Sequence, residues 1–216
     1  MRALSTIFLL CLALSSQAQT IVDFHTTRGD FRVQLREDIM PITAGNFISL
    51  VDSGYYDGVI FHRVIDGFVI QGGDPTGTGS GGPGYTIMDE YHPTMNHDSA
   101  GVIAMAKTSA PNSAGSQFYF TLDSVNRLDQ RYSVFGSCID GLNVILTIGK
   151  VRTDNNDRPL FTVMMDSVRI YDPTASIEAL SHNVLTEVYP NPFQGAANIR
   201  YQVKKAEKVL ITMHDV

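Results

Sequence analysis

Residues 61–73 read Phe-His-Arg-Val-Ile-Asp-Gly-Phe-Val-Ile-Gln-Gly-Gly, so that Arg63 and Gln71 lie between apolar residues typical of strands. A second block reads Ala-Met-Ala-Lys at 104–107 and Gly-Ser-Gln-Phe-Tyr-Phe at 115–120. This block again joins aromatic residues to a glutamine and contains no nucleophile with an evident base. A concave apolar surface with one fixed cation can bind an uncharged peptide but cannot easily hydrolyse it. The two blocks therefore favour a reaction that breaks no covalent bond.

Short runs of strand-forming residues surround these blocks. Alternating apolar and polar residues over 31–35 predict a half-buried strand, which forms a hairpin with residues 21–26. Further strands are predicted at 59–64, 68–71, 102–106, 117–121, 133–138 and 163–170. Helices are predicted from Pro41 to Gly54 and from Leu142 to Ile148, the first opened by a proline whose missing N–H is not needed there. Many strands with two helices fit either a closed antiparallel barrel or a sandwich.

In their order and separation, the two blocks resemble the sequences of the cyclophilins, which are peptidyl-prolyl cis/trans isomerases. The resemblance extends from about Ile21 to Tyr171 and includes the glycine-rich loop that begins at Gly73. It implies a mainly β fold, in which a closed eight-stranded antiparallel β-barrel is capped by two α-helices. It also implies a substrate groove on the outer face of the barrel. We expect a monomer.

The catalytic pair implied by this resemblance is Arg63 and Gln71. Rotation about the bond before proline meets a barrier of about 18–20 kcal/mol, because amide resonance keeps that bond planar. As the bond twists, the proline nitrogen becomes pyramidal and its lone pair is free to accept a hydrogen bond. The guanidinium of Arg63 would stabilise the twisted state and not the planar one, which is how binding becomes catalysis. Gln71 would orient Arg63 and contact the substrate carbonyl.

The resemblance also implies a set of substrate-binding residues around this pair. Four apolar or aromatic side chains would hold the proline ring: Phe68, Val69, Tyr119 and Leu128. Three further residues would line the groove, the first two through their backbone: Ala106, Lys107 and Gln117. At the rim, Arg127 and Tyr132 stand where many family members have tryptophan and histidine. The arginine should weaken binding of the cyclic-peptide inhibitor cyclosporin while catalysis is retained.

Each of these assignments has a simpler structural alternative. Arg63 could be a solvated surface arginine, and the apolar residues could be ordinary core residues. The two glutamines could simply form hydrogen bonds with the backbone of a β-sheet or a loop. A binding or chaperone module that docks proline-containing segments without turnover is the rival function. A hydrolase is poorly supported, because Ser116 has no positioned base beside it.

The composition narrows the class of partner and cofactor. The chain has 216 residues, of which 44% are hydrophobic and 18% charged, with a formal net charge of −6. This balance is typical of an ordinary globular protein and argues against nucleic acid as a partner. Proline-containing polypeptides are the expected partners. No metal or other cofactor is predicted, because the acidic loop at 153–157 lacks the glycine and terminal glutamate of a calcium loop and is interpreted as a solvated turn.

The two ends of the chain predict export. Residues 1–18 have the basic start, short apolar stretch and small residues of a signal peptide, so no membrane insertion is expected after its removal. Residues 19–171 would form the isomerase domain, 172–186 a linker and 187–216 a tail. The tail resembles the start of a sorting domain of the type IX secretion machinery, and it is either truncated or a remnant. We expect a protein of the periplasm, or of the cell surface or medium if the tail functions, that assists the folding of exported proteins.

Overall fold

The computed structural model describes residues 19–172 in full, and the backbone of residues 184–189 and 198–203. The chain divides into two compact units, with the boundary between Tyr171 and Asp172. The predicted signal peptide at 1–18 lies outside the described residues, as do most of the predicted linker and tail. In the second unit, β9 (Val184–Tyr189) and β10 (Asn198–Val203) pair as antiparallel strands.

The described part of the first unit contains eight strands, two α-helices and one 3₁₀ helix. In chain order these are β1 (Ile21–Thr26), β2 (Gly29–Leu35), α1 (Pro41–Asp52), β3 (Arg63–Ile65), β4 (Val69–Gly72), β5 (Val102–Met105), β6 (Phe118–Thr121), the 3₁₀ helix (Asn126–Leu128), β7 (Val134–Asp140), α2 (Leu142–Ile148) and β8 (Met165–Ile170). The predicted β1–β2 hairpin and both predicted helices are therefore confirmed.

All eight strands belong to one antiparallel sheet, in the order β3-β4-β6-β5-β7-β2-β1-β8. This sheet curls into a half-barrel whose edges are β3 and β8, so the prediction of a closed barrel is wrong. The predicted strand at 59–64 is also displaced, since β3 covers only residues 63–65. The reason is that the chain before β3 turns to the other edge. There the N–H of Gly58 donates to the carbonyl of Met165 at 2.8 Å, and the N–H of Phe61 donates to that of Val163 at 2.9 Å.

The concave inner face of the sheet carries the main core. Strands β1 and β2 place Phe24 opposite Phe31, and the two rings stack with their centroids 4.7 Å apart. Helix α1 adds Phe47, whose ring meets the edge of Phe118 from β6 at 5.4 Å. Each of these rings is almost fully buried. Because burying one large apolar side chain stabilises a fold by about 1.5–3 kcal/mol, this aromatic cluster contributes strongly to holding α1 against the sheet.

Helix α1 begins and ends as its sequence predicts, but its N-terminus is capped from elsewhere in the chain. Pro41 occupies the start of the helix and Gly54, just past its end, has a positive φ of 71°. The carboxylate of Glu90 accepts hydrogen bonds from the backbone N–H groups of Ile42 and Thr43. A negative group at this position satisfies free N–H donors and complements the helix dipole. Neither helix in the described range is long and apolar enough to cross a bilayer.

Candidate active site

The outer face of the sheet carries a second apolar cluster, here called the outer pocket. Its buried members come from four strands: Val69, Val102, Ala104, Tyr119 and Val134. Half-buried residues surround them: Phe68, Met95, Ala106, Leu128 and Tyr132. Successive residues of a strand point to opposite faces, which is why β6 sends Phe118 and Phe120 to the main core and Tyr119 to this pocket. The four residues predicted to hold a proline ring are thus brought together.

A polar edge borders this pocket because of the strand register. Arg63 of β3 lies opposite Gln71 of β4, Gln71 lies opposite Tyr119 of β6, and Tyr119 lies opposite Ala104 of β5. Directly opposed residues in neighbouring strands point to the same face. The predicted catalytic pair therefore shares one row, and one face, with the floor of the outer pocket.

Within this row, the two members of the predicted catalytic pair have different partners. The Arg63 side chain is 40% exposed, and its Nε lies 3.4 Å from Oδ2 of Asp157. The side-chain amide of Gln71 donates to Oε1 of Gln117 at 2.9 Å. The predicted contact by which Gln71 would orient Arg63 remains a prediction. Gln71 instead links the row to the third predicted polar residue, Gln117.

Gln117 is held by the glycine-rich loop, defined here as residues 73–84. Its amide donates to the backbone carbonyls of Gly79 and Gly81 at 3.0 and 2.9 Å. The loop is organised by the buried carboxylate of Asp74, which accepts hydrogen bonds from the backbone N–H groups of residues 76, 78, 79 and 81. Burial alone would raise the pKa of Asp74, but these donors outweigh burial and hold it well below its usual value.

A groove of about 660 Å³ lies beside the outer pocket, on the side of the two glutamines. It is lined by the glycine-rich loop and by four of the predicted site residues: Gln71, Ala106, Lys107 and Gln117. The Lys107 ammonium donates to Oδ2 of Asp89 at 2.6 Å. That hydrogen bond raises the pKa of Lys107.

A buried histidine, His97, forms a hydrogen bond with Tyr119 at the floor of the outer pocket. Oδ1 of Asp129 lies 2.9 Å from Nδ1 of His97 and also accepts the backbone N–H of His97. Because a carboxylate only accepts, Nδ1 carries the proton, and Nε2 is left to accept the hydroxyl of Tyr119 at 2.8 Å. Burial lowers the pKa of His97, and Asp129 only partly opposes this effect.

The rim of the pocket carries Arg127 and Tyr132, the two rim residues singled out from the sequence. The guanidinium of Arg127, on the 3₁₀ helix, lies over the ring of Phe68 with 4.5 Å between its carbon and the ring centroid. The ring of Tyr132 meets that of Tyr119 edge to face at 5.9 Å. The nine predicted substrate-binding residues therefore belong to the outer pocket, line the groove beside it or, in the case of Arg127, contact Phe68.

Two groups that matter at the site were not predicted from the sequence. Asp157 contacts Arg63 from a loop that follows α2, and Asp129 holds His97 beneath the pocket. Neither has a local pattern that would indicate such a contact. The only signal was a cluster of Asp and Asn at 154–157, which is typical of any solvated turn.

Comparison with known proteins gives a consistent result. Residues 21–170 match the family model described as "Cyclophilin type peptidyl-prolyl cis-trans isomerase/CLD". The chain is 42% identical over 173 residues to peptidyl-prolyl cis-trans isomerase A of Mycobacterium tuberculosis, covering 72% of this chain and 94% of that protein. It is 46% identical over 153 residues to peptidyl-prolyl cis-trans isomerase-like 1 of Rhizopus delemar, covering 69% and 90%.

Solved structures agree with the sequence relatives. A cyclophilin-type isomerase of Cryptosporidium parvum superposes with a TM-score of 0.70 at 36% identity, covering 72% of this chain and 99% of that one. A second crystal structure of that protein, determined in the presence of the dipeptide Ala-Pro, gives a TM-score of 0.68 at 38% identity, with coverage of 70% and 99%. With the half-barrel, the outer pocket and the arginine at its edge, these matches show that the chain belongs to the cyclophilin-type peptidyl-prolyl cis-trans isomerases.

Proposed function

We propose that Arg63 carries the isomerase activity of this chain by donating a hydrogen bond to the nitrogen of a proline seated in the outer pocket. The observation that supports this proposal is the cross-strand row that places Arg63 and Gln71 beside Tyr119 on one face of the sheet. An apolar surface for the ring and a cation beside it are the two groups that the proposed catalysis uses.

The proline ring enters between Phe68, Val69, Tyr119 and Leu128, where apolar contact replaces water around it. The peptide segment before the proline runs along the groove past Ala106 and Lys107. As the bond leaves planarity, the lone pair of the proline nitrogen is released from amide resonance and can accept a hydrogen bond from the guanidinium. The guanidinium donates a hydrogen bond without giving up its proton, so the step needs no proton transfer.

Exchange of Arg63 tests this proposal. Arg63→Ala should lower kcat/KM for a proline-containing peptide by about 10²–10³-fold, as loss of one preorganised donor does in other enzymes. Arg63→Lys should recover little of that loss, because a flexible ammonium lacks the planar fork of donors. Binding of the peptide, followed by titration, should persist in both variants.

The matched control is Arg28→Ala, which removes an exposed arginine from the β1–β2 turn. Activity within about twofold of the parent in Arg63→Ala would refute the assignment of Arg63. Absence of isomerisation in the parent protein itself would favour a binding module on this fold.

Cyclosporin should bind weakly, because Arg127 stands at the rim where many family members have tryptophan. Its guanidinium lies over Phe68 and adds a charge where an apolar inhibitor would need a flat aromatic surface. Full inhibition at low dose would contradict this expectation.

We further propose that the clients are exported proteins, on the basis of the predicted signal at 1–18 and the tail. The antiparallel pair β9–β10 is compatible with a sorting-domain-like tail read by the type IX machinery. Proline-containing chains are the substrate class, in line with the Ala-Pro dipeptide present with the Cryptosporidium parvum relative. Cell fractionation, with sequencing of the mature N-terminus, tests the compartment. A cytosolic protein that retains Met1 would refute export.

A further inference from the structure

We propose that Asp157 is a positioning residue that orients Arg63 for catalysis. The inference rests on the proposed function of Arg63. Asp157 lies in the loop that follows α2. From its Asp and Asn residues alone, this loop was interpreted as a solvated turn. That loop places a carboxylate against the guanidinium, with Oδ2 of Asp157 3.4 Å from Nε of Arg63.

The loop is built as a rigid turn by another aspartate. Oδ1 of Asp154 accepts the backbone N–H groups of Asn156 and Arg158 at 2.8 and 2.9 Å. The backbone N–H of Asp154 donates to the carbonyl of Arg158, and that of Asp157 donates to the carbonyl of Asp154. Four hydrogen bonds within five residues thus define the direction in which Asp157 points. A loop without such bonds would present the carboxylate over a wide range of positions.

The turn is also attached to the site at two points. The backbone N–H of Val64, next to Arg63 on the edge strand β3, donates to the carbonyl of Asp157 at 2.8 Å. The guanidinium of Arg158 donates to the carbonyl of Gly77 in the glycine-rich loop at 2.9 Å. The first bond fixes Asp157 beside Arg63, and the second ties the turn to the loop that holds Gln117.

The side of the guanidinium that Asp157 contacts matters for the chemistry. An arginine has five N–H donors, one on Nε and four on the two terminal nitrogens. A carboxylate near Nε leaves the terminal fork free to face the groove. Because Arg63 is 40% exposed on an edge strand, packing alone restrains its long side chain only partly. Asp157 therefore restricts rotation of Arg63 to orientations in which the fork is available to a prolyl nitrogen.

The same carboxylate also partly neutralises the positive charge of Arg63, and this effect would weaken the attraction of the guanidinium for the substrate. The two effects predict opposite results when Asp157 is removed. Asp157 is 42% exposed, and water screens the charge effect at such a site. Orientation depends on geometry and is not screened in this way. We therefore expect the orienting effect to prevail, and removal to slow the reaction.

The backbone at Asp157 provides a clean variant for the test. Its φ is +63°, in the left-handed region that glycine adopts without strain. Asp157→Gly therefore removes the carboxylate while the turn is expected to remain folded. Asp157→Asn keeps an acceptor oxygen and tolerates the same backbone conformation. The matched control is Asn155→Gly, which loosens the same exposed loop and leaves the carboxylate in place.

The experiment measures isomerisation of a proline-containing peptide by the full chain and its variants. In Asp157→Gly, kcat/KM should fall about fivefold, the change that corresponds to about 1 kcal/mol at an exposed ion pair. The loss should lie in kcat, with KM unchanged, because Asp157 lies behind Arg63 and not in the groove. Asp157→Asn should recover at least half of the parent rate, and Asn155→Gly should match the parent. The NMR resonance of the Arg63 Nε–H should move in Asp157→Gly and not in Asn155→Gly.

An unchanged or increased rate in Asp157→Gly would overturn the inference, and so would an equal loss in Asn155→Gly. A rate in Asp157→Asn as low as that in Asp157→Gly would overturn the role of an acceptor oxygen. Arg63→Ala separates this inference from the proposed function. If that variant remains active, the proposed function fails, and if it is inactive while Asp157→Gly is not impaired, only the present inference fails. In the Arg63→Ala background, Asp157→Gly should cause no further loss.

Discussion

Tyr119 shows how a hydroxyl group at the floor of the outer pocket is accommodated. A phenylalanine at this position would need nothing beneath it, whereas the tyrosine hydroxyl lies where water is excluded. His97 accepts that hydroxyl, and Asp129 holds His97 in the tautomer that can do so. The three side chains satisfy one another in a buried site, where an unpaired polar group is costly. The hydrogen bond to His97 also restrains the position of the Tyr119 ring beneath the proposed proline site.

Tyr119→Phe should therefore destabilise the protein although it looks conservative. Nε2 of His97 would be left buried without a donor, which costs about 1–3 kcal/mol in the free energy of unfolding. Denaturant unfolding measures this change. The isomerase activity should change little, because the ring itself stays in place. The control is Tyr132→Phe, which removes a hydroxyl at the half-buried rim and should change stability by less than about 0.5 kcal/mol. Equal stability of Tyr119→Phe and the parent would show that His97 finds another partner.

Among the elements, the glycine-rich loop has the greatest influence on the polar side of the site. It has no regular secondary structure, so its shape depends on the single carboxylate of Asp74. Its entry requires a glycine, since Gly73 has a φ of +85° and an added Cβ would lie 2.4 Å from the carbonyl oxygen of Ser116. Through the carbonyls of Gly79 and Gly81, the loop determines where Gln117 and then Gln71 lie.

Asp74→Ala should release this loop. The N–H groups that the carboxylate accepts would lose their partner, and we expect the free energy of unfolding to fall by about 1.5–3 kcal/mol, as for hydrogen bonds to a charged group. KM for a proline-containing peptide should rise more than kcat falls, because the groove wall loosens while Arg63 stays on β3. Unfolding curves and steady-state kinetics measure the two effects. Asp166→Ala, at an exposed position of β8, is the control. A stable variant with unchanged KM would contradict the organising role of Asp74.

At the scale of the whole molecule, one curled sheet separates two apolar clusters, the main core inside and the outer pocket outside. Both clusters, and every residue of the proposed site, come from residues 19–172. The match to the Mycobacterium tuberculosis relative covers 94% of that protein with 72% of this chain. The part of the chain that carries the site thus corresponds to a nearly complete relative.

Removal of residues 172–216 should accordingly leave an active isomerase. The free energy of unfolding of the remaining unit should change by less than about 0.5 kcal/mol, because its core and its caps are retained. Its kcat/KM should stay within about twofold of the full chain, since no group of the proposed site is lost. Parallel unfolding and activity measurements on both forms check this. Aggregation or loss of activity on truncation would show that the second unit supports the first.

Residue patterns along the chain were sufficient to predict several features. Period-two alternation identified the β1–β2 hairpin, and Pro41 and Gly54 bounded α1. These features are local, because the side of a strand or helix on which a residue lies follows from its spacing to near neighbours. The candidate site residues, in contrast, were named from the family resemblance of the two blocks around Arg63 and Gln117, and the strand register then brought them together.

Contacts between distant segments were settled by the tertiary structure. Residues 58–61 bond to the opposite edge of the sheet instead of extending β3, α1 is capped by Glu90, and Arg63 meets Asp157 from a loop 94 positions later in the chain. Nothing in the sequence near Arg63 indicates that partner, because pairing across such a separation depends on how the sheet curls and where its edges meet. The sequence by itself determined the local elements and, through its resemblance to the cyclophilins, named the candidate site residues, whereas the three-dimensional arrangement of the edges determined which groups hold them in position.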